Sequence, residues 1–223
     1  MSEYLDDLRT EREMKDRFMA RHPESPFVAS GVPGFGGLRY FPIDARYRVA
    51  AVLRRRPVPE EAFLRTNRDG QSVVRYLGDL EFRLAGRPLR LRLFHAGEGI
   101  GTSVFVPFRD ATSGRDTYGP GRYVTLELTE DDAYTLDFNR AFNPYCAYTD
   151  AYECSFPPAE NDLPVPIRAG EKVWSEERNP RTPSSAVIAL RPKPRPSTTP
   201  ARAAPTPRGG SSRASRPLRR RTR

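Results

Sequence analysis

Alternating apolar and polar positions dominate the middle of the chain. Leu80, Phe82 and Leu84 alternate with polar residues, and Leu89, Leu91 and Leu93 repeat the pattern. Ala85 to Pro88 supply a turn between them, so the stretch predicts a hairpin with one buried face and one wet face. Thr102–Phe108 and Tyr123–Leu128 continue in the same way. Val124, Leu126 and Leu128 share one face, with Thr125 and Glu127 on the other. Tyr134, Leu136 and Phe138 give a further period-two run that puts Asp137 and Asn139 on the opposite face. Leu38–Phe41 and Tyr47–Leu53 read as two more strands. About seven short strands joined by turns argue for a mainly β fold, an antiparallel sandwich or partly open barrel.

A helix precedes the strands. Residues 4–21 lack Gly and Pro and carry Leu5, Leu8, Phe18 and Met19 as a narrow apolar stripe among charges. A stripe that thin predicts a helix lying on the surface of the body. His22-Pro23 ends it. After Asn143 the chain becomes turn-rich. Pro157-Pro158 and Pro164-x-Pro166 oppose ladder pairing, so this segment is expected to wrap the sheet as an ordered cover as far as Glu171.

Charge changes the picture at the C-terminus. The chain has a formal net charge of +9, but twelve of its 37 Lys and Arg lie in residues 179–223, which contain no acid. The first 178 residues therefore hold 25 basic and 28 acidic side chains, a net of −3. The same tail holds nine of the 23 prolines. Such composition cannot bury enough apolar surface to offset ordering entropy. The reading is one β-rich domain over residues 1–178 and a disordered basic tail over 179–223. A tail of this kind contacts nucleic acid or other polyanions without reading sequence. The N-terminus lacks the apolar stretch of a signal peptide, and no run approaches the ~18 apolar residues of a membrane span. A cytoplasmic protein with no membrane contact is expected. The sequence points to no particular cofactor and fixes no oligomeric state.

Several pieces resemble one family. They are Lys15-Asp16, Gly37 through Pro42, Pro107 through Gly114, Thr117 through Tyr123 and Leu136 through Asn139. Asn143-Pro144, Cys146-Ala147-Tyr148, Cys154, Pro157-Pro158, Asn161 and Leu163 through Glu171 complete the pattern. Together they resemble the bacterial and archaeal domain of unknown function 1684 over residues 11–175. Departures are mild: Asp116 stands where Glu is expected, Pro120 where Gly is usual, and Tyr145 where Pro is common. The resemblance implies one compact body and no established activity. The Arg/Pro tail is not part of it.

Candidate chemistry concentrates in residues 107–171, where Gly, Pro, Asn, Asp, Arg, Tyr and both cysteines crowd into turns. Polar side chains on loops above a rigid scaffold are where binding usually sits. Cys146 and Cys154, with His22 and His95, match no zinc-site spacing, so no metal is expected and two packed, inert thiols is the better reading. Gly97–Val104 has Thr102 where a dinucleotide loop needs its third Gly, and reads as a hairpin turn. Asp110–Tyr123 reads as a structured loop or as a pocket wall with Arg122 as an anion clamp. Arg122 would pair with Asp137 or Glu171 if the segments meet.

The first functional reading is a small-ligand-binding β domain. Asp110, Tyr118, Arg122, Asn139, Asn143 and Arg168 would line its pocket. The alternatives are an enzyme, such as a hydrolase, with Asp137 or Glu171 as acid–base group, and a polyanion-binding protein acting through the tail.

Overall fold

Six strands follow one another in an antiparallel path in the structure, a computed structural model that describes residues 2–32, 35–96 and 103–174. They are β1 (Arg48–Arg65), β2 (Gln71–Leu84), β3 (Arg87–Ala96), β4 (Ser103–Asp110), β5 (Arg122–Glu127) and β6 (Ala133–Asp137). Their order in the sheet is β5-β4-β3-β2-β1-β6. Chain order is broken only where β6 returns to pair with β1, from Arg48 opposite Asp137 to Val52 opposite Ala133. The two edges, β5 and β6, then approach each other, and the sheet curls into a nearly closed barrel. A short β7 (Asp162–Leu163) adds a parallel pairing to β4 at Arg109 and Asp110. Two helices precede the sheet, α1 (Ser2–Arg21) and α2 (Pro26–Ala29). The described residues all belong to one compact unit.

The alternating runs face inward as their spacing predicts. Leu80, Phe82, Leu91, Leu93, Val104, Val106, Phe108, Val124, Leu136 and Phe138 form the main core. Between β2 and β3 the chain turns in two residues, Ala85 and Gly86, at φ 50° and 77°. Two successive positive φ values give the turn whose twist matches the flanking strands. Gly adopts that conformation freely, and no atom lies within 4 Å of a Cβ built there.

Two strand assignments change. Leu38–Phe41 is not a strand: only Tyr40 pairs, in an isolated bridge to Glu171, and Pro42 has no N–H to extend a ladder. β1, conversely, runs on to Arg65 and β2 starts at Gln71, well beyond the hydrophobic alternation. Much of this extension is wet on both faces, so backbone pairing holds it without a sequence signature. The register slips between Arg55 and Glu60, around Pro57 and Pro59. Past the slip a second apolar cluster forms from Leu64, Val74 and Phe94. The expected tail and most of the Gly97–Val104 turn lie outside the described residues. Among the described residues no helix is long and apolar enough to cross a membrane.

Helix α1 docks with few apolar side chains. Leu8 and Met19 are each 1% exposed, and polar residues on the same face make the remaining contacts. Tyr4 Oη donates to Asp137 Oδ2 (2.9 Å). Arg140 donates twice to Glu11 (3.0 and 2.7 Å). Arg12 donates to the Phe41 carbonyl (3.1 Å), and Asp16 accepts from Leu38 N (3.0 Å). Spacings of three and four residues keep these groups on one helix face.

Burial, with help from the Asp137 charge, raises the Tyr4 pKa to about 12. The neutral hydroxyl is thus favoured in the folded state. Its contribution to docking stands below the ordinary tyrosine value and is lost as pH climbs through the raised one. Ultraviolet titration of Tyr4→Phe should lack one tyrosinate step near the top of that window. A curve identical to the unsubstituted protein would show that Tyr4 is not the docked group.

Candidate functional site

The Asp110–Tyr123 segment spends its polar groups on itself and on the cover. Asp110 Oδ1 accepts from Thr112 N (2.7 Å), Thr112 Oγ1 (2.6 Å) and Ile167 N (3.1 Å). Arg122 lies where β5 begins, beside the end of β4, and is 1% exposed. Its Nη2 donates to Asp110 Oδ2 and to the Ile167 carbonyl (both 2.9 Å). Its Nη1 donates to the carbonyls of Ala169 (2.5 Å) and Glu171 (3.0 Å). One guanidinium therefore holds three alternate carbonyls of the closing PIRAGE segment. Burial lowers the Arg122 pKa, and the Asp110 charge opposes that.

The expected pairing of Arg122 with Asp137 or Glu171 does not occur. Antiparallel pairing of Phe108 with Arg122 brings Asp110 closer, and Arg122 reaches only the backbone of Glu171. Tyr118 donates to the Cys146 carbonyl (3.4 Å). Arg168 is exposed on the outer side of the cover, away from the other five predicted ligand residues.

Asp137 and Asn139 form a second knot at the end of β6. Asp137 Oδ1 accepts from Asn139 N (3.0 Å) and Asn139 Nδ2 (3.1 Å), and Oδ2 from Tyr4 and Arg140 (2.7 Å). Four donors thus occupy this carboxylate. Asn139 also exchanges two hydrogen bonds with the Asp44 backbone (3.0 and 2.9 Å), which pins the chain entering β1.

Glu171 is placed differently. Gly170 precedes it at φ +72°, where a Cβ would lie 2.4 Å from the Ala141 carbonyl oxygen. Only glycine fits that approach, and it turns Glu171 back under α1. Glu171 N donates to the Ala141 carbonyl (2.9 Å). The side chain is 1% exposed. Its Oε2 accepts from Asn143 N (2.9 Å) and Tyr148 Oη (2.7 Å), and Oε1 lies 2.6 Å from Lys15 Nζ.

Around Glu171 a cleft of about 230 Å³ opens between α1 and the barrel. Arg12, Lys15, Tyr40, Asn139, Phe142 and Glu171 are on its walls. The Arg12 guanidinium lies 4.4 Å from the Tyr40 ring centre and the Lys15 ammonium 4.6 Å from that of Phe142. Burial first, and then the charge of Glu171, push the Tyr40 pKa up. The Tyr40 hydroxyl is buried beside the Glu171 carboxylate and makes no other hydrogen bond among the described residues. Arg12 Nε is buried and has no acceptor among the described residues.

Charge in the cleft is uneven. Lys15 pairs with Glu171 and Arg140 with Glu11. Arg12 has no carboxylate within 4.0 Å among the described residues, and desolvation lowers its pKa.

A larger groove of about 680 Å³ crosses the outer face of the sheet near Arg54, Arg83, Arg90 and Glu160. It is open, and its exposed charges already pair, Arg54 with Glu81 and Arg92 with Glu160 (both 2.9 Å). It buries no unpartnered polar atom, so the smaller cleft is the better candidate. Among the described residues no cluster of three His, Cys, Asp or Glu could hold a metal ion.

Of the residues singled out in the sequence, Asn139 and Glu171 line the cleft and Asn143 buttresses Glu171. Arg12, Lys15, Tyr40, Phe142 and Tyr148 were not singled out as site residues. The signal for the first two was the polar stripe on α1 in step with Leu8 and Met19.

Comparison with known proteins agrees with this picture of the body. A family model described as "Protein of unknown function (DUF1684)" matches residues 33–172. The solution NMR structure of an uncharacterized protein of Haloarcula marismortui is 37% identical, with a TM-score of 0.61. That match covers 77% of this chain and 95% of the archaeal one. No curated protein matches the chain. The barrel and its PIRAGE cover lie within the matched stretch, and the chain belongs to the DUF1684 family of proteins of unknown function.

Proposed function

We propose that this protein binds a small carboxylic acid in the cleft beneath α1. The observation that carries the reading is Arg12, a buried guanidinium on the cleft wall whose Nε–H has no acceptor and which has no carboxylate within 4.0 Å among the described residues. Buried polar groups are almost always satisfied, and exceptions mark sites that a ligand or water completes. An unpaired guanidinium N–H, with the Tyr40 hydroxyl on the same cleft wall, suits the oxygens of a carboxylate. Tyr40 and Phe142 add flat apolar walls for its body. The cleft is smaller than the roughly 300–1,000 Å³ of drug-sized sites, which limits the occupant to a molecule of about benzoate size.

A hydrolase reading rests on Glu171 alone, because Asp137 is occupied by four donors and is not on the cleft wall. Glu171 itself is held by Lys15, Asn143 and Tyr148, so a binding role fits the contacts better.

Thermal shift of the full chain against acetate, benzoate and inorganic phosphate tests the proposal. Benzoate should raise the midpoint in proportion to the logarithm of its concentration. Tyr40→Phe should weaken that binding about tenfold or more, the worth of a hydrogen bond to a charged group. Equal shifts in both proteins, or none with any of the three, would reject it.

A further inference from the structure

The two cysteines lie in the turn-rich cover, and they are not independent. Cys146 N donates to Cys154 Sγ at 3.4 Å, which sets the two cysteines side by side. Cys146 is buried, while Cys154 is partly exposed. Cys154 also lines an open cleft of about 560 Å³, with Phe105, Tyr123, Thr125, Glu153 and Ser155; Thr125 is shared with the α1 cleft. Its backbone is fixed: Cys154 N donates to Asn67 Oδ1 (2.8 Å) and its carbonyl accepts from Asn67 N (3.3 Å). A sulfur is thus held rigidly at a cleft wall with a second thiol directly behind it.

We propose that Cys154 is a site of thiol–disulfide exchange with low-molecular-weight disulfides entering this cleft, and that Cys146 is its resolving thiol. The Cys154 thiolate attacks one sulfur of the incoming disulfide, forms a mixed disulfide and releases one thiolate. Cys146 then attacks Cys154 Sγ, its proton passes to the second departing sulfur, and a Cys146–Cys154 bond results. The protein loses two electrons and two protons, and the small disulfide becomes two thiols.

The surroundings suit that order of events. The hydrogen bond from Cys146 lowers the Cys154 pKa to about 7 against burial and the nearby Glu153 charge. Attack by a thiolate of near-neutral pKa is close to optimal for exchange at neutral pH. The same hydrogen bond is the main cause holding the Cys146 pKa up, ahead of burial. Capping Cys154 as a mixed disulfide removes the thiolate that Cys146 was serving. Tyr118 Oη, 3.7 Å from Cys146 Sγ, then remains as a donor to the resolving sulfur.

The test uses the full chain and glutathione disulfide as probe, with an alkylating quench and peptide mass mapping. The unsubstituted protein should lose two hydrogens, end with neither thiol alkylatable and yield one cross-linked peptide pair. Cys146→Ser should trap glutathione on Cys154. Cys154→Ser should leave Cys146 reduced. Glutathione found on Cys146 rather than Cys154, or two free thiols persisting in the unsubstituted protein, would overturn the proposal. The mapping of the unsubstituted chain stands whether or not the serine variants fold.

Discussion

Arg122→Leu is expected to remove a large share of the stability of the body. The substitution leaves the Asp110 carboxylate buried without its cation and strips donors from the carbonyls of Ile167, Ala169 and Glu171. Breaking a buried ion pair from one side costs about 3–5 kcal/mol, against a total of roughly 5–15 kcal/mol for a folded domain. The urea midpoint should fall accordingly. Adding Asp110→Leu should recover part of the loss, because the stranded charge is then gone. A loss under about 1 kcal/mol, the worth of an exposed pair, would mean that the guanidinium is not the clamp described.

Glu171→Ala ranks second. It leaves Tyr148 Oη, Asn143 N and Lys15 without their acceptor in a nearly closed site. Each stranded buried donor costs about 1–3 kcal/mol, so a loss of about 3 kcal/mol is expected in the same urea assay. Glu171→Gln keeps the shape and should lose less. It should also lower the Tyr40 pKa, because a neighbouring negative charge is gone, while burial still holds that pKa above the ordinary value. An unchanged Tyr40 titration would contradict the proximity on which the cleft is built.

The barrel was legible where burial is one-sided. From Leu80 to Leu93, and again around Val124 and Leu136, each inward side chain has a wet neighbour, and the period of two shows. Residues 54–61 gave no such signal because both of their faces are in water. Their pairing is a backbone matter, visible only with coordinates. Tyr40 looked like a strand residue because Leu38, Tyr40 and their neighbours are apolar, but Pro42 stops the ladder and frees its ring to face Arg12.

The site was legible as a region and not as a set of side chains. Of the acids and amides from the end of β6 onward, Asn139 and Glu171 reach the cleft, Asn143 holds Glu171, and Asp137 stays off the wall. Sequence could not tell that four donors saturate Asp137 while Glu171 stays at the cleft wall. Nor could it show that Arg122 turns inward to carbonyls. About a third of the cleft wall comes from α1, more than 100 residues away in the chain from Glu171, and only the docked helix brings Arg12 and Lys15 over Tyr40 and Phe142.

An NMR titration of isotope-labelled full chain with benzoate examines the binding site most directly. Saturable shifts should be largest at the Arg12 Nε–H and at Tyr40, Lys15 and Phe142, and should need about tenfold more benzoate in Tyr40→Phe. Shifts confined to the outer arginine groove, or no saturable change at those four residues, would contradict a carboxylate site beneath α1.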